Sequence, residues 1–293
     1  MPFTIGTTRS YLELARLSNT PTIVTNVLVG VALVKVDPIP GVVKITTIVL
    51  AMILLYIGGM ALNDVVDAPL DSKERPERPI PSGRISRKAA FIYCFICMSV
   101  ALGIMVTFNR FALYMALGLT MTIIAYDLFH KRFAGSVILM GLCRSLVYIS
   151  AGAAMAWPLD WSLFAPPSIA ILLYIVLLTL IARVEAKKQP GRRVWLAYLL
   201  PLPVVCMFLF LPSTQLMMPL LSGLVLVAWL TLSSAHHLNA NPPRIGGAVQ
   251  GWLAGICLVD AHILALLDQP LMMGLCFICF ILTLIGHRFI MGT

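Results

Sequence analysis

Ten long apolar stretches limit most strongly what this chain can fold into. A transmembrane helix needs about 20 largely apolar residues. With 60% hydrophobic and 11% charged residues among 293, the chain carries far more apolar surface than a soluble core requires. The sequence therefore predicts an all-α, polytopic transmembrane helical bundle formed by a single domain, residues 1–293. The stretches span residues 11–34, 42–62, 90–108, 111–126, 135–156, 168–182, 194–211, 220–235, 249–267 and 271–289.

Basic residues are unevenly distributed among the connections between these stretches. Nearly all of the 21 lysines and arginines fall in alternate connections, on one predicted side of the membrane. Such an excess marks the cytoplasmic side, so we expect both termini and the connection 63–89 to be cytoplasmic, in a bacterial inner membrane. The net charge of +9 is explained by this bias, and we expect no nucleic-acid partner.

Five of the twelve acidic residues lie in one short segment, residues 63–86. At about 100° per residue, Asp64, Asp67 and Asp71 fall within an arc of about 60° on a helix. Three carboxylates on one face repel one another unless a cation lies between them. Their hard oxygen atoms suit Mg²⁺, which usually binds through one or two carboxylates and a substrate phosphate.

Basic side chains follow these carboxylates in the same segment. Arginine binds phosphate oxygens through its planar fork, and lysine binds them as a point charge. The segment therefore predicts a site for Mg²⁺ and a diphosphate at the end of the second helix. The alternative is a solvated charged loop between two membrane helices. The basic residues are Lys73, Arg75, Arg78, Arg84 and Arg87.

The order of these residues resembles a known motif. The run Asn63-Asp-Val-Val-Asp-Ala-Pro-Leu-Asp71, followed by Arg75-Pro-Glu-Arg-Pro-Ile-Pro-Ser-Gly-Arg-Ile-Ser86, resembles the first aspartate-rich motif of the UbiA superfamily of intramembrane prenyltransferases. The resemblance implies nine to ten helices around a central cavity that opens to the cytoplasmic side. It also implies Mg²⁺ as the cofactor, an isoprenyl diphosphate as the donor and a lipophilic acceptor.

The same resemblance assigns roles within the motif. Asp64 and Asp67 are the expected catalytic residues, and Asn63, Arg75 and Arg78 are expected to bind substrate. Pro69 disrupts the helical hydrogen-bond pattern, so we expect Asp71 to reach the metal from a turn. The expected metal ligands are Asn63, Asp64, Asp67 and Asp71.

Residues outside the motif add candidates for substrate binding. Arg16 and Asn19, in the polar start of the first helix, either recognise donor or acceptor or serve the membrane interface and helix packing. Lys131 and Arg132 follow the fourth helix and either bind the diphosphate or set topology. Arg144 lies about 14 Å along the fifth helix, where an arginine usually faces a cavity or a partner.

Arg144 has two possible roles at that depth. It either pairs with Asp260, which lies at a similar depth in the ninth helix, or reaches the diphosphate or the acceptor from the cavity wall. We count Arg144 among the candidate catalytic residues.

The end of the sixth helix departs from the family pattern. The superfamily normally has a second aspartate-rich motif there, whereas this chain offers Arg183 and, as its only acid, Glu185. We expect both to bind substrate, with basic charge neutralising the diphosphate directly beside one metal or a weakly bound second one. The resemblance is thus to a branch with a degenerate second motif, such as that of the Ebo-type clusters.

The Cys-x-x-Cys pairs and a pair of adjacent histidines do not indicate a function. The cysteines of the two Cys-x-x-Cys pairs, at 94–97 and 276–279, are expected to be small buried hydrophobic residues. The adjacent His236 and His237 point apart on a helix, lack metal-binding spacing and are expected to be structural.

The resemblance thus implies a Mg²⁺-dependent prenyltransferase that moves an isoprenyl group to an aromatic or other lipophilic acceptor. A non-catalytic isoprenoid-binding protein and a cyclase on the same scaffold are the alternatives. A transporter ranks last, because it would have paired broken helices in two inverted halves.

Overall fold

The computed structural model describes residues 5–35, 41–131, 133, 135–185, 192–211, 213–241 and 243–289, without the side chains of residues 5–7, 184–185 and 192–194. Over these residues all regular secondary structure is helical, as predicted. The α-helices are α1 (Ile5–Leu14), α2 (Thr20–Ala32), α3 (Val42–Glu74), α4 (Arg87–Val106), α5 (Arg110–Phe129), α6 (Ser136–Met155), α7 (Trp161–Glu185), α8 (Leu202–Val205), α9 (Met217–Leu238), α10 (Ile245–Leu266) and α11 (Pro270–Phe289).

Eight of the described helices are long and apolar enough to cross a membrane, namely α3 to α7 and α9 to α11. The first and seventh predicted stretches are instead broken. The seventh consists of 3-10 turns at Arg192–Leu199 and Cys206–Leu209 on either side of α8, because Pro201 and Pro203 interrupt the helical hydrogen bonds. The prediction of nine to ten segments is thus met by eight continuous helices and two interrupted ones.

The break in the first stretch is centred on Arg16. Helix α1 ends at Leu14, a 3-10 turn spans Leu17–Asn19, and α2 begins at Thr20. Arg16 adopts a left-handed backbone conformation with φ of 44°, which costs a non-glycine residue about 1–2 kcal/mol. This strained turn directs the chain so that the Arg16 side chain faces α3.

Helices α2, α6 and α10 form the centre of the bundle. Helix α2 packs against α3, α6, α10 and α11, while α10 packs against α7, α9 and α11. Nearly every residue of α10 from Ala248 to Leu266 is buried. The other helices surround these three and expose apolar residues such as Phe95, Leu224 and Ile278, as expected for surfaces that contact lipid.

The contact between α2 and α6 depends on Gly30. A Cβ atom at this position would lie 2.4 Å from the Tyr148 carbonyl oxygen and 2.8 Å from Ala151 Cβ. Since the obstacle is backbone, we expect Gly30→Ala to separate the helices and to lower stability by about 1–3 kcal/mol. Thermal unfolding in detergent tests this. Gly118→Ala, where a Cβ meets nothing within 4 Å, is the matched control and should not destabilise.

Helix α3 continues through Pro69 to Glu74, so the prediction that Asp71 lies in a turn is wrong. The proline removes the N–H that would bond the Val65 carbonyl oxygen four residues earlier. Arg87 Nε donates to this same oxygen at 3.0 Å. The Val65 carbonyl oxygen therefore has a hydrogen-bond donor from α4, and α3 is continuous through Pro69.

This arrangement predicts a coupling between Arg87 and Pro69. We expect Arg87→Met to lower the unfolding free energy by about 1 kcal/mol, because the Val65 carbonyl oxygen loses its donor. In a Pro69→Ala background the new N–H supplies that donor, and Arg87→Met should then have almost no effect. Unfolding of the four variants in detergent measures the coupling. Equal losses in both backgrounds would contradict it.

Candidate active site

The three aspartates of α3 lie on one buried face near the end of the helix. Asp64, Asp67 and Asp71 are 5%, 8% and 5% exposed. Such burial of carboxylates requires partners of opposite charge or hydrogen-bond donors. All three are paired with basic side chains that come from other parts of the chain.

Two arginines bind the first and third aspartates. Arg16 Nη2 lies 3.3 Å from Asp64 Oδ1, and Arg78 Nη1 lies 3.4 Å from the same oxygen. Arg78 also donates to Asp71 Oδ2 at 2.7 Å. The strained turn at Arg16 and the loop after α3 thus converge on one carboxylate.

Asp67 is bound from the end of α5. Lys131 Nζ contacts one of its oxygens at 2.5 Å, and His130 Nε2 lies 3.4 Å from the other. This interaction with Asp67 raises the pKa of His130 above its usual value, despite an opposing effect of burial. Beside it, Asn63 Nδ2 donates to Asp127 Oδ1 at 3.1 Å.

A cavity of 390 Å³ opens beside these pairs. Asp67 and Asp71 line it directly, whereas Asp64 lies behind the lining arginines Arg16 and Arg78. The wall also contains polar or charged residues from five segments of the chain. These are Asn19, Tyr56, Asn63, Glu74, Arg75, Tyr126, His130, Lys131, Arg144 and Thr179.

A smaller, mostly apolar pocket of 70 Å³ adjoins this cavity and extends among α2, α3, α5 and α6. Its lining includes Ile23, Leu55 and Ile123. The two spaces share wall residues Tyr56, Met60, Tyr126, Met140 and Arg144. The site therefore has a charged mouth and an apolar interior.

Arg144 stands at the junction of the two spaces and is held by α2. Its Nη1 donates to Thr22 Oγ1 at 3.0 Å and to Asn26 Oδ1 at 2.9 Å. Asn26 Nδ2 in turn donates to Asp260 Oδ2 at 2.7 Å. The hypothesis of a direct Arg144–Asp260 pair is therefore wrong, because the Asn26 amide lies between the two charges.

Asp260 is completely buried and accepts two further hydrogen bonds. Their donors are the hydroxyl groups of Thr25 and Tyr148. Helices α2, α6 and α10 are thus connected by one polar network, which ends at Arg144 in the wall of the cavity.

Comparison with known proteins identifies the fold and the family. The sequence model of the UbiA prenyltransferase family matches residues 23–249. The chain belongs to this family. It is an integral, multi-pass membrane protein, as its apolar helices and its family indicate.

Solved structures with the UbiA fold are similar over most of the chain. A UbiA homologue from Aeropyrum pernix superimposes with a TM-score of 0.68 at 14% identity, over 84% of this chain and 96% of that one. A homologue from Archaeoglobus fulgidus bound to GPP and Mg²⁺ gives 0.63 at 15% identity, over 88% and 99%. At such identities the likeness concerns the fold alone.

Curated relatives match over shorter lengths. Digeranylgeranylglyceryl phosphate synthase of Methanopyrus kandleri is 38% identical over 108 residues, which is 37% of this chain and 39% of the relative. The enzyme of that name from Methanococcus aeolicus is 30% identical over 148 residues, 50% of this chain and 52% of the relative. The chain spans about two-fifths of the length of the first curated relatives it matches.

Most of the predicted site residues of this UbiA-family chain converge on the cavity. Arg183 is not among the residues that line the cavity. Its Nη2 donates to Ser136 Oγ at 2.8 Å and to the His130 carbonyl oxygen at 3.3 Å. Arg132 lies outside the described residues, as does the side chain of Glu185. Their roles in substrate binding stay predictions.

Sequence reasoning overlooked two cavity residues that a sequence signal could have identified. Tyr56 lies on α3 and faces the cavity with Asn63 and Asp67, seven and eleven residues later, which is helical spacing. His130 immediately precedes Lys131, which the sequence predicts as a substrate-binding residue. Following the helix face of the aspartates two turns toward the N-terminus of α3 would have identified Tyr56.

The donor set of the site suits Mg²⁺. The carboxylate and amide oxygens of α3 are hard ligands, and two of the three aspartates face a cavity large enough for a phosphate group. Among the described residues no group of three or more acidic, histidine or cysteine side chains is clustered closely enough to hold a metal. The aspartates are bound to basic side chains instead.

Proposed function

We propose that this UbiA-family protein transfers an isoprenyl group from an isoprenyl diphosphate to a lipophilic acceptor. One observation carries the proposal. A cavity with aspartates, arginines and a lysine at its mouth continues into an apolar pocket among the helices. This shape and polarity match an amphiphile with a charged head and a hydrocarbon tail, because burying each CH₂ group contributes about 0.8 kcal/mol.

The reaction begins when the C1–O bond of the allylic diphosphate breaks and its electron pair leaves with the diphosphate. Arg16, Arg75, Arg78 and Lys131 supply positive charge where the leaving group gains negative charge. Mg²⁺, when bound, neutralises the leaving diphosphate further. We assign its binding to Asn63, Asp64, Asp67 and Asp71.

The basic side chains that bind the aspartates are the same ones that we assign to the diphosphate. Arg78 bridges Asp64 and Asp71, and Lys131 contacts Asp67. We infer that these cations transfer from the carboxylates to the diphosphate oxygens when the metal and the donor bind. They thereby keep the buried carboxylates compensated before substrate arrives.

The carbocation is then captured by the acceptor, which forms a bond to C1 and loses a proton to the released diphosphate. The tail of the donor lies in the apolar pocket, from which water is excluded, so that capture by water is disfavoured. Arg144, at the junction, is suited to orient the reacting end of either substrate. The archaeal relatives are named digeranylgeranylglyceryl phosphate synthases, so a glyceryl phosphate lipid is the first acceptor to test.

We also infer that the charged mouth faces the cytoplasm. The support is the excess of lysines and arginines in the connections at this end. Both termini would lie on the same side. The assignment to a bacterial inner membrane stays a prediction, and the relatives named above are archaeal.

The test is to incubate the purified protein with Mg²⁺, isoprenyl diphosphates of several lengths and candidate lipid acceptors, followed by mass spectrometry of the extracted lipids. A mass gain of one isoprenyl group on an acceptor, abolished by EDTA, is the expected result. Diphosphate release with a hydrocarbon product and no acceptor gain would indicate a cyclase. Binding of the donor without turnover would indicate a non-catalytic lipid-binding protein.

A further inference from the structure

A second cavity lies at the same end of the bundle, between α9, α10 and α11. Its volume is 390 Å³, and it shares no lining residue with the cavity of the candidate active site. The two are adjacent, because His287 Nε2 lies 2.7 Å from Asn19 Oδ1, and Asn19 lines the first cavity. The mechanism proposed above makes no use of this second space.

Hydrogen-bond donors form one part of the mostly apolar lining of this cavity, and no acidic side chain is among its described lining residues. The lining includes Arg288 at the end of α11, His236 and His237 at the end of α9, and Gln250 on α10. One arginine and several imidazole and amide N–H groups facing one space favour an anion with many acceptor oxygens.

The start of α10 adds to this preference. Gly247 lies in the first turn of that helix and lines the cavity. Amides of a first turn lack intrahelical acceptors, and the positive end of the helix dipole lies there. A phosphate group is suited to such a position.

Glycines bring α9 and α10 together at this point. A Cβ atom on Gly247 would lie 2.7 Å from the His237 ring, and one on Gly251 would lie 2.1 Å from Ser233 Oγ. The absence of side chains at these two positions, one turn apart, lets the histidine and the serine pack against α10. The polar wall of the cavity is thus built by the helix contact itself.

The opposite rim of the cavity is apolar. It is formed by Leu232, which is 67% exposed, together with Leu284 and Trp229. Below the rim, exposed residues such as Leu224 and Ile278 cover the outer faces of α9 and α11. A ligand bound here by a polar head would have its hydrocarbon chain along these faces, within the lipid.

We propose that this cavity binds the phosphate head of a membrane lipid. The ligand class is a phosphomonoester or another anionic phospholipid with exposed phosphate oxygens. Its head contacts Arg288, the histidines and the start of α10, while its chains cover the apolar rim. This site is separate from the prenyl-transfer site and does not depend on the activity proposed above.

The test uses fluorescence of Trp229, which lines the cavity. The full-length protein is placed in phosphatidylcholine nanodiscs that contain a small fraction of acyl-brominated phosphatidic acid or acyl-brominated phosphatidylcholine. Subtracting the Trp229→Phe variant isolates the signal of this tryptophan. We expect phosphatidic acid to quench it with about fivefold higher apparent affinity than phosphatidylcholine. Equal quenching by the two lipids would overturn the proposal.

Variants and competitors separate the possible sources of binding. His236→Gln combined with Arg288→Gln should remove the preference for phosphatidic acid and leave quenching by phosphatidylcholine unchanged, which also shows that the variant is folded. Arg110→Gln, at the opposite end of the bundle, should keep the preference. Millimolar inorganic phosphate should not relieve the quenching. If millimolar phosphate does relieve the quenching, free phosphate fills the site without acyl chains, and a lipid as the occupant is overturned. A preference for phosphatidic acid that survives the double substitution would overturn the site.

Discussion

Replacing Asp64 or Asp67 with asparagine is expected to reduce isoprenyl transfer by on the order of 10³-fold. Asparagine keeps the shape of the side chain but removes the charge that attracts Mg²⁺ and that orders the surrounding basic residues. Asp64 is the shared acceptor of Arg16 and Arg78, and Asp67 binds Lys131. Each substitution therefore changes both metal affinity and the placement of the cations that bind the leaving group.

Initial rates with a labelled isoprenyl diphosphate measure the effect. Binding of Mn²⁺ in the presence of pyrophosphate, followed by electron paramagnetic resonance, measures metal affinity independently of turnover. Asp160→Asn is the matched control, because Asp160 is exposed just before α7 and asparagine also suits a helix N-terminus. Wild-type rates in both the Asp64→Asn and Asp67→Asn variants would show that the reaction takes place elsewhere.

Much of this architecture could be predicted from the sequence, because the decisive signals are local. Runs of apolar residues long enough to cross a bilayer can be recognised without knowing their neighbours. The spacing of Asp64, Asp67 and Asp71 likewise places them on one helix face, as observed. Serine is a preferred N-cap residue, and Ser86 caps α4, where its Oγ accepts from the Ala89 N–H.

The features that the sequence did not predict are tertiary. The helix continues past Pro69, and Arg87, eighteen positions later, donates to the Val65 carbonyl oxygen that the proline leaves without its helical partner. Counting residues along two helices correctly predicts that Arg144 and Asp260 lie at a similar depth in the membrane. The count does not show which residue of a third helix lies between them. Asn26 of α2 occupies that place. The spacing of hydrophobic residues predicts which face of a helix is buried and how deep a residue lies. It does not predict which side chain forms hydrogen bonds between two helices.

This bridge makes Asp260→Asn the second substitution with a large expected effect. An asparagine at 260 removes the negative charge near Arg144 and offers one acceptor oxygen to the three donors Asn26, Thr25 and Tyr148. If its N–H₂ group faces Tyr148, that hydroxyl group must accept instead of donate; if it faces Asn26 Nδ2, two donors oppose each other. Reversing the Asn26 amide relieves this conflict, but it then directs N–H₂ at Arg144 instead of an acceptor. We expect a loss of stability of about 3 kcal/mol, as found when a buried charge network loses one member.

The same substitution should reduce turnover by on the order of 10²-fold, because a displacement of about 1 Å at a reacting group has such an effect. Asp260 acts here as a positioning residue, since Arg144 and not Asp260 lines the cavity. The expected loss therefore falls mainly on kcat, whereas the KM for the donor, whose diphosphate is bound at the mouth, changes little. Thermal unfolding and steady-state kinetics of the same preparation separate the two effects.

Exchanging the two residues provides the decisive control. In the variant that combines Asn26→Asp with Asp260→Asn, the aspartate at 26 accepts both from Arg144 and from the new amide at 260. Every hydrogen bond between α2, α6 and α10 then again has one donor and one acceptor, and the charge count is unchanged. The double variant should regain most of the stability and kcat that Asp260→Asn loses. If it is no better than the single variant, the Asn26 amide does not transmit the orientation of Arg144, and the arginine is held by Thr22 and by packing alone.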